Sequence, residues 1–257
     1  MIIEYHRPRT IDEALALLAR SEPVSRPLAG GTGIDRSAPQ PVAVVDLQAL
    51  GLDSLSWRGG SLELGAMVTL QDIIESDVPE ELKSIARLEA SYNLRQSASV
   101  AGTLVAADGR SAFTTTLLAL DTALTVVSLS QGQLKEEQIG LGDLLPLRGE
   151  RLAGKLISSL RLPGRGVRLA YEYIARTPAD LPLVCAAATA WPSGRTRLAL
   201  GGYGAAPTLA FDGSEAQGAE IAARSAYSAA GDEWASAEYR TEMAGILAER
   251  CLARLAP

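Results

Sequence analysis

The sequence predicts an α+β protein, and three observations carry that prediction. Strand and helix patterns alternate through the first fifty residues. Two short strands meet at Gly59-Gly60. Past Gly164, three strand patterns run in succession and helices follow. Strands that meander before the helices arrive point to an α+β domain.

Residues 2–6 look like a short strand. After Pro8, Thr10-Ile11-Asp12-Glu13 forms a capping box: the Thr10 hydroxyl can accept from the Glu13 N–H, and Glu13 can reach back. Ile11, Ala14, Leu15, Leu17 and Leu18 then share one helical face. Val24 to Leu28 reads as a strand, Ala29 to Gly33 as a glycine-rich turn, and Val42 to Asp46 as another strand. Ser54 to Trp57 and Ser61 to Leu64 flank two glycines and read as a β-hairpin. Thr69 caps a helix whose third residue is Asp72, and Pro79 to Ala90 is helical. Ser97 to Gly109 is rich in small residues without a strong period and reads as a loop. A helix over roughly Ser111 to Leu120, a strand from Ala123 to Leu129 and a turn at Gly132 follow. Leu156 to Leu162 is a strand, and Gly164-Arg165-Gly166 marks a boundary. Strand patterns around 168–175, 183–191 and 196–202 are separated by turn signals at Pro178 and Ser193-Gly194. The last helix starts near Ser236, with Tyr239, Met243, Ile246, Leu247, Leu252 and Leu255 on its apolar side.

With 257 residues, 47% hydrophobic and 21% charged, the chain has the balance of a folded protein with a sizeable core. The net charge is -6, and no basic stripe with interleaved aromatics suggests a nucleic-acid surface. No apolar run reaches bilayer length, and no basic n-region with an apolar h-region opens the chain, so a cytoplasmic location is expected. The only cysteines are Cys185 and Cys251, and the only histidine is His6. A zinc or iron–sulfur site wants about four such ligands, so no metal site is expected. A Ser-His-Asp triad would need His6, which sits in a strand pattern without helpful neighbours and reads as structural. Both cysteines read as buried small residues, not as a disulfide. No catalytic residue is expected; a redox role has to come from a bound organic cofactor.

Two segments could build a site for one. In Ala29-Gly30-Gly31-Thr32-Gly33, consecutive glycines can point successive N–H groups into one concavity that takes phosphate oxygens. Taken alone, the run reads at least as readily as a tight turn between strands. In the second segment, Ser99, Val100, Ala101, Gly102 and Thr103 precede Asp108, Gly109 and Ser111, offering hydroxyls and backbone N–H groups. Taken alone, it reads as a surface loop, or as a lid hinged at Gly102 and Gly109.

The two segments together, in order and spacing, resemble the FAD-binding (medium) subunit of molybdenum hydroxylases of the xanthine dehydrogenase and aerobic carbon monoxide dehydrogenase type. That family carries an A-G-G-T/H loop near its start and a T-I-G-G-N loop about seventy residues later. Ala29 to Thr32 matches the first loop, and Ser99 to Thr103 occupies the second. Leu64-Gly65-Ala66-Met67-Val68-Thr69 resembles I-G-A-x-V-T, Leu94-Arg95-Gln96 resembles I-R-N, and Leu117 to Asp121 matches L-L-A-L-D. Tyr171-Glu172 with Arg176 and Asp180, and Ser236 to Arg240, resemble segments of the third subdomain. In this chain Ala101 replaces the first glycine of G-G, Thr103 replaces Asn, Ala112 stands where Asp is frequent, and Tyr173 where Lys is common. Ala101 fits only if its φ is negative.

The resemblance implies a two-subdomain FAD-binding fold of the vanillyl-alcohol oxidase/p-cresol methylhydroxylase type plus a C-terminal α+β domain. FAD-binding subdomains of about 1–55 and 56–165 make residues 1–165, followed by a domain over 166–257. Ala29 to Gly33 and Ser99 to Thr103 would hold the FAD diphosphate, Ser111 would add a polar contact, and Asp180 and Leu181 would lie near the isoalloxazine. Implied partners are a 2Fe-2S small subunit and a molybdopterin large subunit, with NAD, a quinone or oxygen accepting the electrons. Two other readings stay open: a non-catalytic scaffold subunit that has lost its flavin, and a stand-alone flavin oxidase of the same fold.

Overall fold

The computed structural model describes residues 1–33 and 41–256. It is built on three sheets. The first is parallel, in the order β1 (Ile2–His6), β3 (Val42–Asp46), β2 (Ser25–Leu28), with helix α1 (Ile11–Leu18) crossing between β1 and β2. Thr10 caps α1 by accepting from the Glu13 N–H, while the Glu13 carboxylate reaches one residue further back than a standard box, to the Arg9 N–H.

The second sheet has five antiparallel strands: β4 (Leu55–Arg58), β5 (Ser61–Gly65), β8 (Leu156–Leu162), β6 (Ala123–Ser130) and β7 (Gln133–Gly140). The hairpin forms where the paired glycines place it. Gly59 and Gly60 have φ of 55° and 82°, the backbone of a two-residue primed turn. Against this sheet pack α2 (Leu70–Glu75), α3 (Glu80–Glu89), α5 (Val100–Ala106) and α6 (Ala112–Ala119), while the short α4 (Tyr92–Arg95) buries no residue and lies beside α3. α7 (Leu141–Leu144) and α8 (Arg148–Arg151) lead back into β8.

The third sheet is antiparallel, in the order β12 (Thr208–Gly213), β11 (Thr196–Gly201), β10 (Val184–Ala190), β9 (Arg168–Ile174). One face is covered by α9 (Ala219–Ala226) and α10 (Ala237–Leu255), and α6 packs on the sheet as well. The α10 layer meets the sheet through small residues, including Ala186, Ala188, Ala244, Ala248 and Cys251, so backbones approach closely. Among the described residues, no helix is long and apolar enough to cross a membrane. Both cysteines are free and buried.

Four expectations need correction. Residues 99–106 are not a loop: Ser99 caps α5, accepting from the Gly102 N–H. Alanine, valine and leucine form helices without an amphipathic period when both sides are partly covered. Strand β7 escaped notice because its residues Lys135, Glu136, Glu137 and Gln138 are polar and exposed; it is an edge strand, paired on one side only. The third sheet has a fourth strand, β12. Finally, Tyr239 is exposed, and Arg240 is the residue that α10 buries. Arg240 is tied to the carboxylate of Asp232 at 2.9 Å and to the carbonyls of Leu183 and Ala230 at 3.1 and 2.8 Å. A pattern reading places a guanidinium outside; here its charge and donors are matched inside.

Candidate flavin site

The glycine-rich segment lies on top of α5. Gly30 sits so close to Ser97 that a Cβ there would lie 1.6 Å from the Ser97 carbonyl oxygen. A Cβ on Gly33 would meet the Ala106 methyl at 3.1 Å, and one on Gly102 would be 3.9 Å from the Ala29 methyl. Residues 29–33 and 97–106, seventy positions apart in the chain, are therefore in direct backbone contact. Glycine is needed at position 30 for space and at Gly31 for conformation, since its φ is 72°.

The two segments differ in what they can offer a ligand. The N–H groups of residues 29–33 donate to no other described residue. The first turn of α5, by contrast, has spent its donors within the chain. Val100 N–H donates to the Val68 carbonyl at 2.8 Å and Ala101 N–H to that of Ala66 at 3.2 Å. Gly102 N–H donates to Ser99 Oγ, and Thr103 N–H to the Ser99 carbonyl. The expectation that this segment supplies free N–H groups is thus corrected; the chain at 66–68 lies across the helix N-terminus and takes them. Ser99 and Val100 are buried in the process. Ala101 is helical, with the negative φ it requires; among the described residues, the positive-φ positions other than glycine are Asp121 and Gln131.

A cleft of about 240 Å³ opens beside this contact. Thr32 and Gly33 form one wall; Gly102, Thr103 and Ala106 line it from α5; Leu181 reaches it from the third sheet's approach. Among the sequence-predicted residues, Thr32, Gly33, Gly102, Thr103, Ser111 and Leu181 come together here. Ala29, Gly30 and Gly31 support the wall, and Ser99, Val100 and Ala101 lie behind it. Asp180 is exposed and does not line the cleft; its carboxylate accepts from the Thr177 N–H at 3.1 Å. The lid reading is also corrected. Gly102 is helical, and Gly109 is pinned: its N–H donates to the Gly204 carbonyl, its carbonyl accepts from the Gly202 N–H, and a Cβ there would strike the Tyr203 carbonyl at 1.9 Å.

Sequence reasoning missed two parts of the site. Glu89 and Asp108 line the cleft, and no described lining residue is basic. Ser111, the N-cap of α6, donates to Glu89 Oε1 at 2.8 Å, and the Phe113 N–H donates to Oε2 at 2.8 Å. Burial pushes the Glu89 carboxyl up to about 7, against the lowering effect of those two donors. Glu89 falls at the end of an ordinary amphipathic helix pattern, which gives no signal of its role. Second, Trp234 lies between Arg110 and Arg176, each about 5 Å from its ring. Arg110 also donates to the carbonyls of Leu181 at 2.7 Å and Pro182 at 3.0 Å, holding the Leu181 segment against the cleft. A larger cavity, about 570 Å³, lies elsewhere, lined by Trp57, Asp77, Arg165, Arg168 and Arg254 among others; none of the sequence-predicted residues reaches it.

Two glycine-bearing segments closed on each other beside a cleft, in an α+β frame of three sheets, form a concave site lined by backbone at residues 32–33 and by α5. Residues 1–165 match the family described as the FAD binding domain in molybdopterin dehydrogenase. The chain belongs to that family, and FAD is its cofactor. It is 28% identical over 205 residues to the Escherichia coli K12 protein YgfM, covering 79% of this chain and 75% of that one. It is 26% identical over 277 residues to the carbon monoxide dehydrogenase medium chain of Afipia carboxidovorans, covering 98% and 96%. In fold it is similar to the crystal structure of a Cu,Mo-CO dehydrogenase, with a TM-score of 0.82, 24% identity and coverage of 99% and 97%. It is also similar to quinoline 2-oxidoreductase from Pseudomonas putida 86, with a TM-score of 0.77, 22% identity and coverage of 98% and 96%. The α+β class and the medium-subunit fold expected from the sequence are those found.

Proposed function

We propose that the chain is the FAD-carrying electron-transfer subunit of a heteromeric, cytoplasmic molybdenum hydroxylase. In this reading residues 1–165 hold the cofactor, as subdomains of about 1–55 and 56–165, and residues 166–257 form a domain that closes over it. The observation that carries the reading is the contact of Gly30 with Ser97 and of Gly33 with Ala106, beside N–H groups that donate to no other described residue. These features fit FAD. A diphosphate needs donors that approach without Cβ interference, and residues 29–33 have them. Among the described lining residues none is basic, so the N–H groups of residues 29–33 are the donors this part of the cleft offers an anion. Thr103 and Ser111 line the cleft beside the cofactor, their hydroxyls donating to the Ser99 carbonyl and to Glu89, and Leu181, held by Arg110, covers its apolar ring; Asp180 stays a candidate at that edge.

When bound, the flavin supplies redox chemistry between iron–sulfur clusters on a 2Fe-2S small subunit and an external acceptor, NAD, a quinone or oxygen. Those electrons originate at a molybdopterin large subunit, where the substrate is oxidised. The residues of this chain bind, orient and shield the ring, and none needs to act as acid or base. Similarity to carbon monoxide dehydrogenase medium chains supports the role of a subunit over that of a stand-alone oxidase.

Purification from its native host tests the reading. A yellow protein that elutes with iron–sulfur and molybdenum-containing chains is the expected result. A yellow protein that elutes alone and turns over a substrate would make it an oxidase. A colourless chain that takes up no added FAD would make it a scaffold.

A further inference from the structure

The cleft contains two carboxylates, and a dinucleotide carries two phosphate charges. An anion placed beside a half-buried carboxylate pays a Coulombic penalty that water screens poorly. The diphosphate therefore belongs on the wall of residues 29–33, and the part of the ligand facing Glu89 must be neutral.

We propose that Glu89 accepts a hydrogen bond from a neutral O–H or N–H of the flavin half of FAD, and so decides which end of the dinucleotide enters the cleft. This rests on the FAD reading above. The geometry supports it in three ways. Glu89 is half-buried and lines the cleft. A carboxylate has about four lone-pair positions; Ser111 Oγ and the Phe113 N–H fill one on each oxygen and fix the group's orientation. And the carboxylate sits at the N-terminus of the eight-residue helix α6, where the Ala112 N–H also donates to it.

The groups around Glu89 give its titration a direction. Asp108, between α5 and α6, adds to the rise caused by burial. On α4, Arg95 is engaged by Gln71 at 2.8 Å and lies over Tyr92. On α2, Asp72 accepts from the Thr69 N–H and Glu75 accepts from Gln71. On the inner side, Tyr171 of β9 and Cys185 of β10 are both raised by burial and stay neutral. A donor from the ligand favours the ionised carboxylate, so binding tightens as the pH rises through about 7.

Fluorescence titration of the apoprotein with FAD, riboflavin and lumiflavin, from about pH 6 to about pH 8.5, tests this. FAD affinity should rise up to about tenfold across that range in the wild type, and Glu89→Gln should be flat and weaker by a similar factor. Ser111→Ala removes one donor and should move the midpoint to higher pH, which keeps the test alive if the first variant misfolds. Riboflavin should show the same slope. If lumiflavin shows it too, the ring imide is the donor; if it does not, a ribityl hydroxyl is. FAD that binds the wild type with no pH slope, or more weakly as the pH rises, overturns the assignment and leaves the FAD reading standing. A wild type that binds no FAD overturns both.

Discussion

Replacing Gly30 by alanine attacks the contact on which the cleft is built. The added methyl would lie 1.6 Å from the Ser97 carbonyl oxygen, 2.4 Å from its carbon and 3.1 Å from its Cα. All three are backbone atoms, so no side chain can swing aside. Restoring ordinary contact means moving one segment away by roughly 2 Å, and forced overpacking of this kind costs about 1–3 kcal/mol. In a chain of this size that corresponds to a fall in Tm of very roughly 2–4 °C per kcal/mol. The loss in flavin binding should be larger than the loss in stability, because the wall at residues 29–33 moves away from α5. Thermal unfolding and FAD titration on the same sample measure both. Gly149→Ala is the control: it lies in helix α8, and a Cβ there meets nothing within 4 Å. A Gly30→Ala protein that keeps the wild-type Tm and FAD affinity would refute the reasoning.

Ser99→Ala removes the side chain that accepts from the Gly102 N–H, and should cost about 1 kcal/mol, read by urea unfolding. Arg240→Met leaves the Asp232 carboxylate and several buried carbonyls without their donor; a loss on the order of 3–5 kcal/mol is expected in the same assay. Glu89 also sets a pH dependence of the apoprotein. Its folded carboxyl is raised by burial to about 7, so the fold favours the protonated form. The stability this contributes is complete below the ordinary carboxyl range and is lost as the pH rises through about 7. The size is on the order of 2 kcal/mol, visible as a slope in unfolding midpoints that Glu89→Gln lacks.

Much of this fold could be read from residue patterns because local chemistry and final structure agree there. Thr10, Thr69, Ser111 and Ser236 each cap the helix they announce, and Gly59-Gly60 turns the hairpin it announces. The site was legible as two segments but not as a geometry. The alanine-rich stretch after Ser99 has no period, so its helix was hidden, and with it the fact that its N–H groups are consumed by Ala66 and Val68. Glu89 carries no local signal, since its role depends on α6 starting beside the end of α3. The contacts of Arg110 and Arg176 with Trp234 join residues far apart in the chain, which no window on the sequence can see. The larger cavity at Trp57 and Arg165 was equally invisible.

Amide hydrogen exchange of the apoprotein, with and without saturating FAD, tests the central claim most directly. The account predicts slowed exchange at the N–H groups of residues 29–33, which donate to no other described residue. It predicts little change at Val100 to Thr103, whose N–H groups are already bonded within the chain. Protection centred on the cavity of Trp57, Arg165 and Arg254, with none at residues 29–33, would contradict it.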